Sequence, residues 1–259
     1  MRYGLVSDIH SNLAALEAAL RAIEKDGPID GILCMGDIIG YGPQPNEVIT
    51  RLKEYNLFTI IGNHDLAVLN QLDLADFNRD AIDANVWTRF QLLPNNFDWL
   101  ETLKPYDQFD DKVTLAHGSP AEPVWEYLTN AHNALRSFDI FETQLCFVGH
   151  THLPRYFLLK ETELSRLRLP LGLSEFREPE LYIPEPGDVI ELDENRAIIN
   201  PGSVGQPRDG DKRAAFAIYD DARMTVKFGR VNYDISLTQE LMRQAMLPAR
   251  LVMRLDYGL

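Results

Sequence analysis

Five short apolar runs in the first two-thirds of the chain end in side chains able to bind a metal ion. They are Leu5-Val6-Ser7-Asp8-Ile9-His10, Met35-Gly36-Asp37, Ile61-Gly62-Asn63-His64-Asp65, Leu115-Ala116-His117-Gly118 and Val148-Gly149-His150-Thr151-His152. Imidazole nitrogens and carboxylate oxygens without thiolates suit Mn, Fe, Zn or Ni at five- or six-coordinate sites, not a structural zinc. The i, i+2 spacing of Asp8/His10 and His150/His152 lets both side chains of an extended segment reach the same side. Gly36, Gly62, Gly118 and Gly149 permit tight turns and close backbone approach around a crowded centre. Five of the six histidines fall in these motifs. The sixth, His132 in Thr129-Asn130-Ala131-His132-Asn133, reads as a surface residue near a helix start.

Taken singly, each motif is weak. A lone His10 or His117 is more often a core or turn histidine, and a lone Asn63 a turn residue. Ligands of α/β proteins, however, gather at the carboxyl ends of strands. Five such endings therefore predict one shared site.

The elements that must position these residues alternate in the first part of the chain. Strand-like runs are Tyr3–Val6, Gly31–Cys34, Phe58–Ile61, Val113–Ala116 and Leu145–Val148. Between the first two, Leu13, Leu16, Leu20 and Ile23 recur at helical spacing, with Asn12 placed as the cap and Gly27-Pro28 as the stop. A second helix is expected over Asn46–Tyr55 and further helices between Leu66 and Leu103. Here Trp87 and Phe90 either pack in the core or line a lid. Alternating strands and helices indicate an α/β layered domain. From Arg155 onward the pattern turns to strands: Arg155–Leu159, Asp188–Leu192, Ala197–Ile199, Ala214–Tyr219 and Met224–Arg230. These suggest a second sheet, closed by a terminal helix over Asp234–Met246. The acidic stretch Asp107–Asp111 reads as a solvated loop.

Charge and composition narrow the function. The chain has 259 residues and a net charge of -14, with 45% hydrophobic and 25% charged residues. That balance suits a globular protein with a core and opposes an extended nucleic-acid surface, which needs clustered Lys and Arg. An acidic protein that handles phosphate needs a local positive centre, and bound metal would supply one. Cys34 and Cys146 lie in apolar runs and read as small core residues in a reducing compartment, with a disulfide between them the alternative. No apolar stretch reaches the ~18 residues of a membrane span, and the short run Met1–Val6 does not make a signal peptide. The expected location is cytoplasmic.

In order and approximate spacing, D-x-H at Asp8–His10, G-D at Gly36-Asp37, G-N-H-D at Gly62–Asp65, H-G at His117-Gly118 and G-H-T-H at Gly149–His152 resemble the calcineurin-like metallophosphoesterases. The opening Asp8-Ile9-His10-Ser11-Asn12-Leu13 with Gly40-Tyr41-Gly42-Pro43 is similar to the compact bacterial and archaeal branch. Tyr41 and Gly42 form either a pocket wall or a plain turn. The resemblance implies a four-layer α-β-β-α sandwich of two mixed β-sheets, with the metal site at the C-terminal ends of the strands. It also implies one domain over residues 1–259, in which 160–187, rich in Pro and charge, is an insertion or hairpin.

The same resemblance implies two divalent metals, Mn foremost, with Fe, Zn or Ni as alternatives. Asp8, His10 and His152 would hold the first, Asp37 would bridge, and Asn63, His117 and His150 would complete the second. Two metals about 3.5–4 Å apart activate a shared hydroxide and clamp a phosphate for in-line attack. His64 would protonate the leaving oxygen as general acid, and Asn63 and His64 would contact substrate. Asp65 either orients the His64 imidazole or caps the helix that follows. Arg208, in the loop Asn200-Pro201-Gly202-Ser203-Val204-Gly205-Gln206-Pro207-Arg208, either reaches the substrate phosphate or pairs with Asp209 or Asp211. The implied activity is hydrolysis of a phosphomonoester or phosphodiester, on a small substrate such as a nucleotide. The competing reading is a binding or scaffold protein that keeps the fold without catalysis. Every ligand position and His64 are filled, which favours the enzyme.

Overall fold

Strands β1 (Arg2–Val6) and β2 (Gly31–Cys34) read as unbroken apolar sequence because both of their faces are covered. Val6, Ile32 and Cys34 point into one hydrophobic cluster, whereas Tyr3, Leu5 and Leu33 point into another on the opposite face. This is the two-residue period of a pleated strand. In the computed structural model, residues 1–160 and 178–259 are described.

The first sheet has the order β3-β2-β1-β11-β12-β9. Here β3 is Leu57–Thr59, β9 Val189–Glu191, β11 Ala214–Asp220 and β12 Thr225–Val231. Strands β1, β2 and β3 run parallel, and β11 joins β1 antiparallel. The second sheet, β4-β5-β6-β10-β7-β8, comprises Tyr106–Gln108, Val113–Ala116, Leu145–Val148, Arg196–Asn200, Arg155–Leu159 and Glu180–Tyr182 in that order. Its centre, β5-β6-β10, is parallel. Val113, Leu115, Leu145, Phe147, Ala197 and Ile199 face the first sheet across the shared cluster. Cys146, Val148 and Ile198 face outward, against Phe138 of helix α6 (Ala131–Phe138).

On the outer face of the first sheet lies α1 (Leu13–Asp26). Asn12 caps it by accepting from the Ala15 amide, and Leu16, Leu20 and Ile23 are buried. Helices α2 (Pro45–Leu52), α3 (Asn63–Val68), α4 (Arg79–Gln91) and α5 (Pro94–Leu100) follow. The layers are therefore α-β-β-α with two mixed sheets, as expected. Burying each large apolar side chain of the shared cluster contributes about 1.5–3 kcal/mol, so this cluster fixes how the two sheets meet.

Several sequence expectations need correction. The late strands do not form a sheet of their own: β9, β11 and β12 extend the first sheet, while β7, β8 and β10 extend the second. A pleated strand pairs with whichever edge fits its pattern, and sequence order does not reveal which. The third strand ends at Thr59 rather than Ile61. Asp107 belongs to β4, where it pairs in register with Leu115. The terminal helix α7 (Ile235–Gln244), capped by Asp234, is followed by a further helix α8 (Ala249–Arg254) that sequence reading missed. Trp87 packs against the cluster containing Met242, Leu251 and Leu255, whereas Phe90 is exposed. Most of the expected 160–187 insertion falls on 161–177, outside the described residues. Among the described residues no helix is long and apolar enough to cross a membrane.

Candidate metal centre

Beyond its last residue, β1 continues beside β2 as a second, irregular ladder. Asp8 N donates to Gly36 O, His10 N to Asp37 O and Ser11 N to Ile38 O, each at 3.0 Å. The two loops thus rise together from the parallel strand ends and carry Asp8, His10 and Asp37 to one place. They do so in a conformation L residues avoid. Of the eleven non-glycine residues at positive φ among the described residues, seven are Asp8, His10, Ser11, Asp37, Tyr41, His150 and His152. Each such residue costs about 1–3 kcal/mol and persists only where its surroundings over-determine it. Two glycines let the backbones close in. A Cβ on Gly62 would stand 2.1 Å from Asp37 Oδ1, and one on Gly149 would stand 2.1 Å from Ser7 Oγ.

The histidines are fixed by backbone carbonyls. Nδ1 of His10 lies 3.2 Å from Ile39 O, that of His117 2.7 Å from Met35 O and that of His152 2.5 Å from Gln206 O. A carbonyl only accepts, so each Nδ1 carries the proton and each Nε2 turns inward as the ligating atom. His150 is reversed: its Nε2 lies 3.2 Å from Trp125 O, which leaves Nδ1 for the site. The inward atoms crowd together. His10 Nε2 and His152 Nε2 are 3.1 Å apart, two lone pairs facing each other when both rings are neutral. His152 Nε2 is 3.3 Å from Asp8 Oδ1, and His117 Nε2 is 3.1 Å from Asn63 Oδ1.

Asp37 joins the two halves. Its Oδ1 accepts from the His64 amide at 2.9 Å. Its Oδ2 is buried without a hydrogen-bond partner, 3.6 Å from His10 Nε2 and 3.5 Å from His117 Nε2. Ligand atoms of Asp8, His10, Asp37 and His152 all lie within 4.8 Å of one another, as do those of Asp37, His117 and His150, so each group could hold a metal ion. An acceptor oxygen buried without a donor is costly; a cation on either side would satisfy it.

The electrostatics fit cations. Burial pushes the Asp8 carboxyl up to about 7, with His117 opposing and Asp37 adding to the rise. Burial holds His10 and His152 well below the usual imidazole range, aided by the charges of His64 and Arg208 at His10, where Asp37 opposes, and by those of Arg208 and then His10 at His152. Burial would depress His117 too, but Asp37 outweighs it and raises that imidazole to about 9. The rise records the pull of Asp37 on positive charge, which a metal ion held by His117 would meet with the imidazole neutral.

His64 sits beside this cluster. Its Nδ1 lies 3.0 Å from Asn85 Oδ1, and its ring centroid is 4.2 Å from that of Tyr41 and 5.0 Å from that of His10. With Nδ1 engaged by Asn85, Nε2 is the nitrogen left for a substrate. Of the two readings of Asp65, the structure supports the backbone one. Its carboxylate accepts from the amides of Gly62, Ile38 and Ile39 at 2.9, 3.2 and 2.9 Å, tying the Asp37 loop to the start of α3. Its oxygens are committed to these amides, and the imidazole is positioned by Asn85 instead.

Arg208 does not make the local salt bridge: Asp209 pairs with Arg230, and Asp211 with Arg213. Its guanidinium donates to Gln206 Oε1 at 2.9 Å and lies 5.9 Å from the centroid of Tyr41, while Nε is buried without a partner. The loop it ends braces the whole site. Asn200 donates to Gly149 O and Thr151 Oγ1, Ser203 to Asp8 O, and Asn12 to Gly205 O. Sequence reasoning missed Asn85, Ser203 and Gln206, and also Tyr127, whose ring stacks 4.3 Å from that of His150.

A family model described as the calcineurin-like phosphoesterase superfamily domain matches residues 1–223. The crystal structure of a metallophosphoesterase from Sphaerobacter thermophilus superposes with a TM-score of 0.83 at 42% identity, covering 100% of this chain and 99% of that one. The uncharacterized protein MJ0912 of Methanocaldococcus jannaschii is 36% identical over 98% of this chain and 97% of its own length. A symmetrical bis(5′-nucleosyl)-tetraphosphatase of Proteus mirabilis is 26% identical over 48% of this chain and 46% of its own. With its sandwich, its strand-end His/Asp groups and these matches, the chain belongs to the calcineurin-like phosphoesterase superfamily, whose members are divalent-metal-dependent phosphoester hydrolases.

Proposed function

We propose that this enzyme, as a single domain over residues 1–259, hydrolyses a small phosphate ester, a nucleotide or similar compound, at a centre of two divalent ions. Asp8, His10 and His152 would hold one ion and Asn63, His117 and His150 the other, with Asp37 placed to serve both. The observation that carries this reading is the unpartnered, buried Oδ2 of Asp37, at nearly equal distance from His10 and His117. A carboxylate is the right group there, because one side chain can serve two cations. The chemistry supplied at such a centre is Lewis-acid activation of the phosphoryl group and of the attacking water.

The chain's own residues do the rest. Asn85 Oδ1 accepts from Nδ1 of His64, so the imidazolium form, which burial disfavours and Asp37 favours, is the one that carries a second proton on Nε2 for the leaving oxygen. Arg208, without a carboxylate ion pair among the described residues, offers N–H groups to phosphate oxygens, and Asn63 and His64 would contact the same substrate. Asp65 takes no proton-transfer part and acts through the backbone it ties. The nitrogen- and oxygen-rich ligand set favours Mn, with Fe, Zn and Ni as the alternatives. The partial likeness to a tetraphosphatase supports nucleotide-type substrates, and two unbridged, buried cysteines suit a cytoplasmic protein.

The test is a panel of p-nitrophenyl phosphate, bis-p-nitrophenyl phosphate, cyclic nucleotides, dinucleoside tetraphosphates and phosphopeptides. Chelation should abolish hydrolysis and Mn restore it. Full activity in protein shown metal-free by elemental analysis would falsify the proposal.

A further inference from the structure

A single exposed tyrosine is ordinarily just surface. Tyr127 is held differently. Its ring stacks on that of His150, 4.3 Å between centroids and 17° between planes, although the residue is 51% exposed. A ring covered on one face and half open to solvent presents its other face. His150 offers its ligand atom to the group it forms with Asp37 and His117, so that open face lies one imidazole away from the candidate metal centre.

The loop that carries Tyr127 is clamped on both sides of it. Trp125 O accepts from Nε2 of His150 at 3.2 Å, Trp125 N donates to Glu122 Oε2 at 2.6 Å, and Ser119 Oγ donates to Glu126 Oε2. Beyond the tyrosine, Leu128 is buried and Thr129 O accepts from the Arg155 guanidinium at 3.2 Å. With the flanking backbone fixed, the ring is presented at low entropic cost, since a tyrosine has only two χ angles to order.

Nor does the ring stand alone. Trp125 packs edge-on to His150 at 6.4 Å, and Phe77 bridges from Trp125, at 4.9 Å, to His64, at 5.1 Å. An aromatic wall thus runs from the solvent-facing Tyr127 to the histidine beside the cluster. A ring that only shielded a ligating imidazole would serve best buried, and this one is half in water.

We infer that the open face of Tyr127 is a stacking platform for the nucleobase of the substrate, which makes Tyr127 a specificity-determining residue. This rests on the phosphoesterase reading above and deepens it. A nucleotide joins a flat ring to a phosphate through one sugar, so the phosphate can lie at the metal centre while the base lies on a ring just outside it. Every base has a π-face, so such a platform separates nucleotides from sugar phosphates and discriminates weakly among bases.

The experiment is calorimetric titration of the metal-loaded protein with AMP and with ribose 5-phosphate, which share sugar and phosphate and differ in the base. Free Mn is buffered equally and metal content is checked afterwards. Wild type should bind AMP at least about tenfold more tightly, within the range for stacking one base on an aromatic side chain. Tyr127→Ala should reduce that margin to about threefold or less, with ribose 5-phosphate bound within about twofold of wild type. Tyr127→Phe keeps the ring and should keep the margin. No margin in wild type, an undiminished one in Tyr127→Ala, or one lost in Tyr127→Phe overturns the platform. So does an equal loss on both ligands, the result expected of a tyrosine that only steadies His150. If Tyr127→Ala loses metal, Tyr127→Leu replaces it, covering His150 without a π-face, and is judged by the same margin. Hydrolysis across the ester panel, followed in parallel, separates the two ideas. Turnover without an AMP margin removes the platform alone, whereas a margin without turnover on any ester removes the hydrolase reading.

Discussion

Around Asp37, His10, His117, His150 and His152 each give a ring nitrogen to a main-chain carbonyl. Beside Tyr41, Arg208 makes no ion pair with a carboxylate among the described residues, in a protein where acids outnumber bases. The first region is over-determined: carbonyls set each tautomer, and the loops hold unfavourable φ values to keep it so. The second is left unsatisfied. Carbonyl-fixed ligands define a reaction type, whereas unsatisfied donors at the edge define what may approach it. Substitutions in the two regions should therefore fail differently, the cage in metal content and the rim in substrate preference.

The largest effect is expected from Asp37→Asn. A neutral amide serves two cations poorly, so metal content should fall below two per chain and activity should drop beyond the about 10²–10⁴ typical of losing a general acid. Retention of both ions at wild-type affinity would mean that Asp37 is not shared. Next comes His64→Ala, which should cost about 10²–10⁴ on substrates with poor leaving groups, much less on p-nitrophenyl esters, and no metal. Equal losses on both substrate types contradict the acid role.

Asn85→Ala should follow the His64 pattern at smaller amplitude, about 10–100-fold, as for other residues that orient an active imidazole. A loss independent of leaving group would reduce Asn85 to packing. Smallest is Arg208→Ala, a rim change. It should lower kcat/KM about 10–100-fold, the scale of one hydrogen bond to a charged group. Metal content should stay normal and Tm should move by no more than about 2 °C. Unchanged kinetics on every substrate would leave Arg208 as surface charge.

The cage was largely legible in the sequence because each ligand directly follows an apolar run, and strand ends converge in a layered α/β protein. Asp8, His10, Asp37, Asn63, His117, His150 and His152 were all placed at one site by that reasoning, and they meet. The rim was less legible. Asn85 sits mid-helix in α4, where nothing local distinguishes it from a solvated asparagine. Helix α8, which packs its Leu251, Val252 and Leu255 with Tyr41, was hidden because its few apolar residues give no clear period. Gln206 acts through its main-chain carbonyl as well as its side chain, and carbonyls have no sequence signature. Asp65 shows the limit from the other side: next to a histidine it suggested an imidazole partner, yet three amides claim its oxygens. The division of strands between sheets was hidden for a related reason, since strands buried on both faces look alike whichever sheet they join.

The central claim is that Asp37 Oδ2 lies between two metal ions. Anomalous diffraction at the Mn edge, from crystals grown with excess Mn, tests it most directly. The account predicts two peaks about 3.5–4 Å apart, one beside Asp8, His10 and His152, the other beside Asn63, His117 and His150, with Asp37 Oδ2 bonded to both. A single peak, or two peaks of which one has no bond to Asp37, would contradict it.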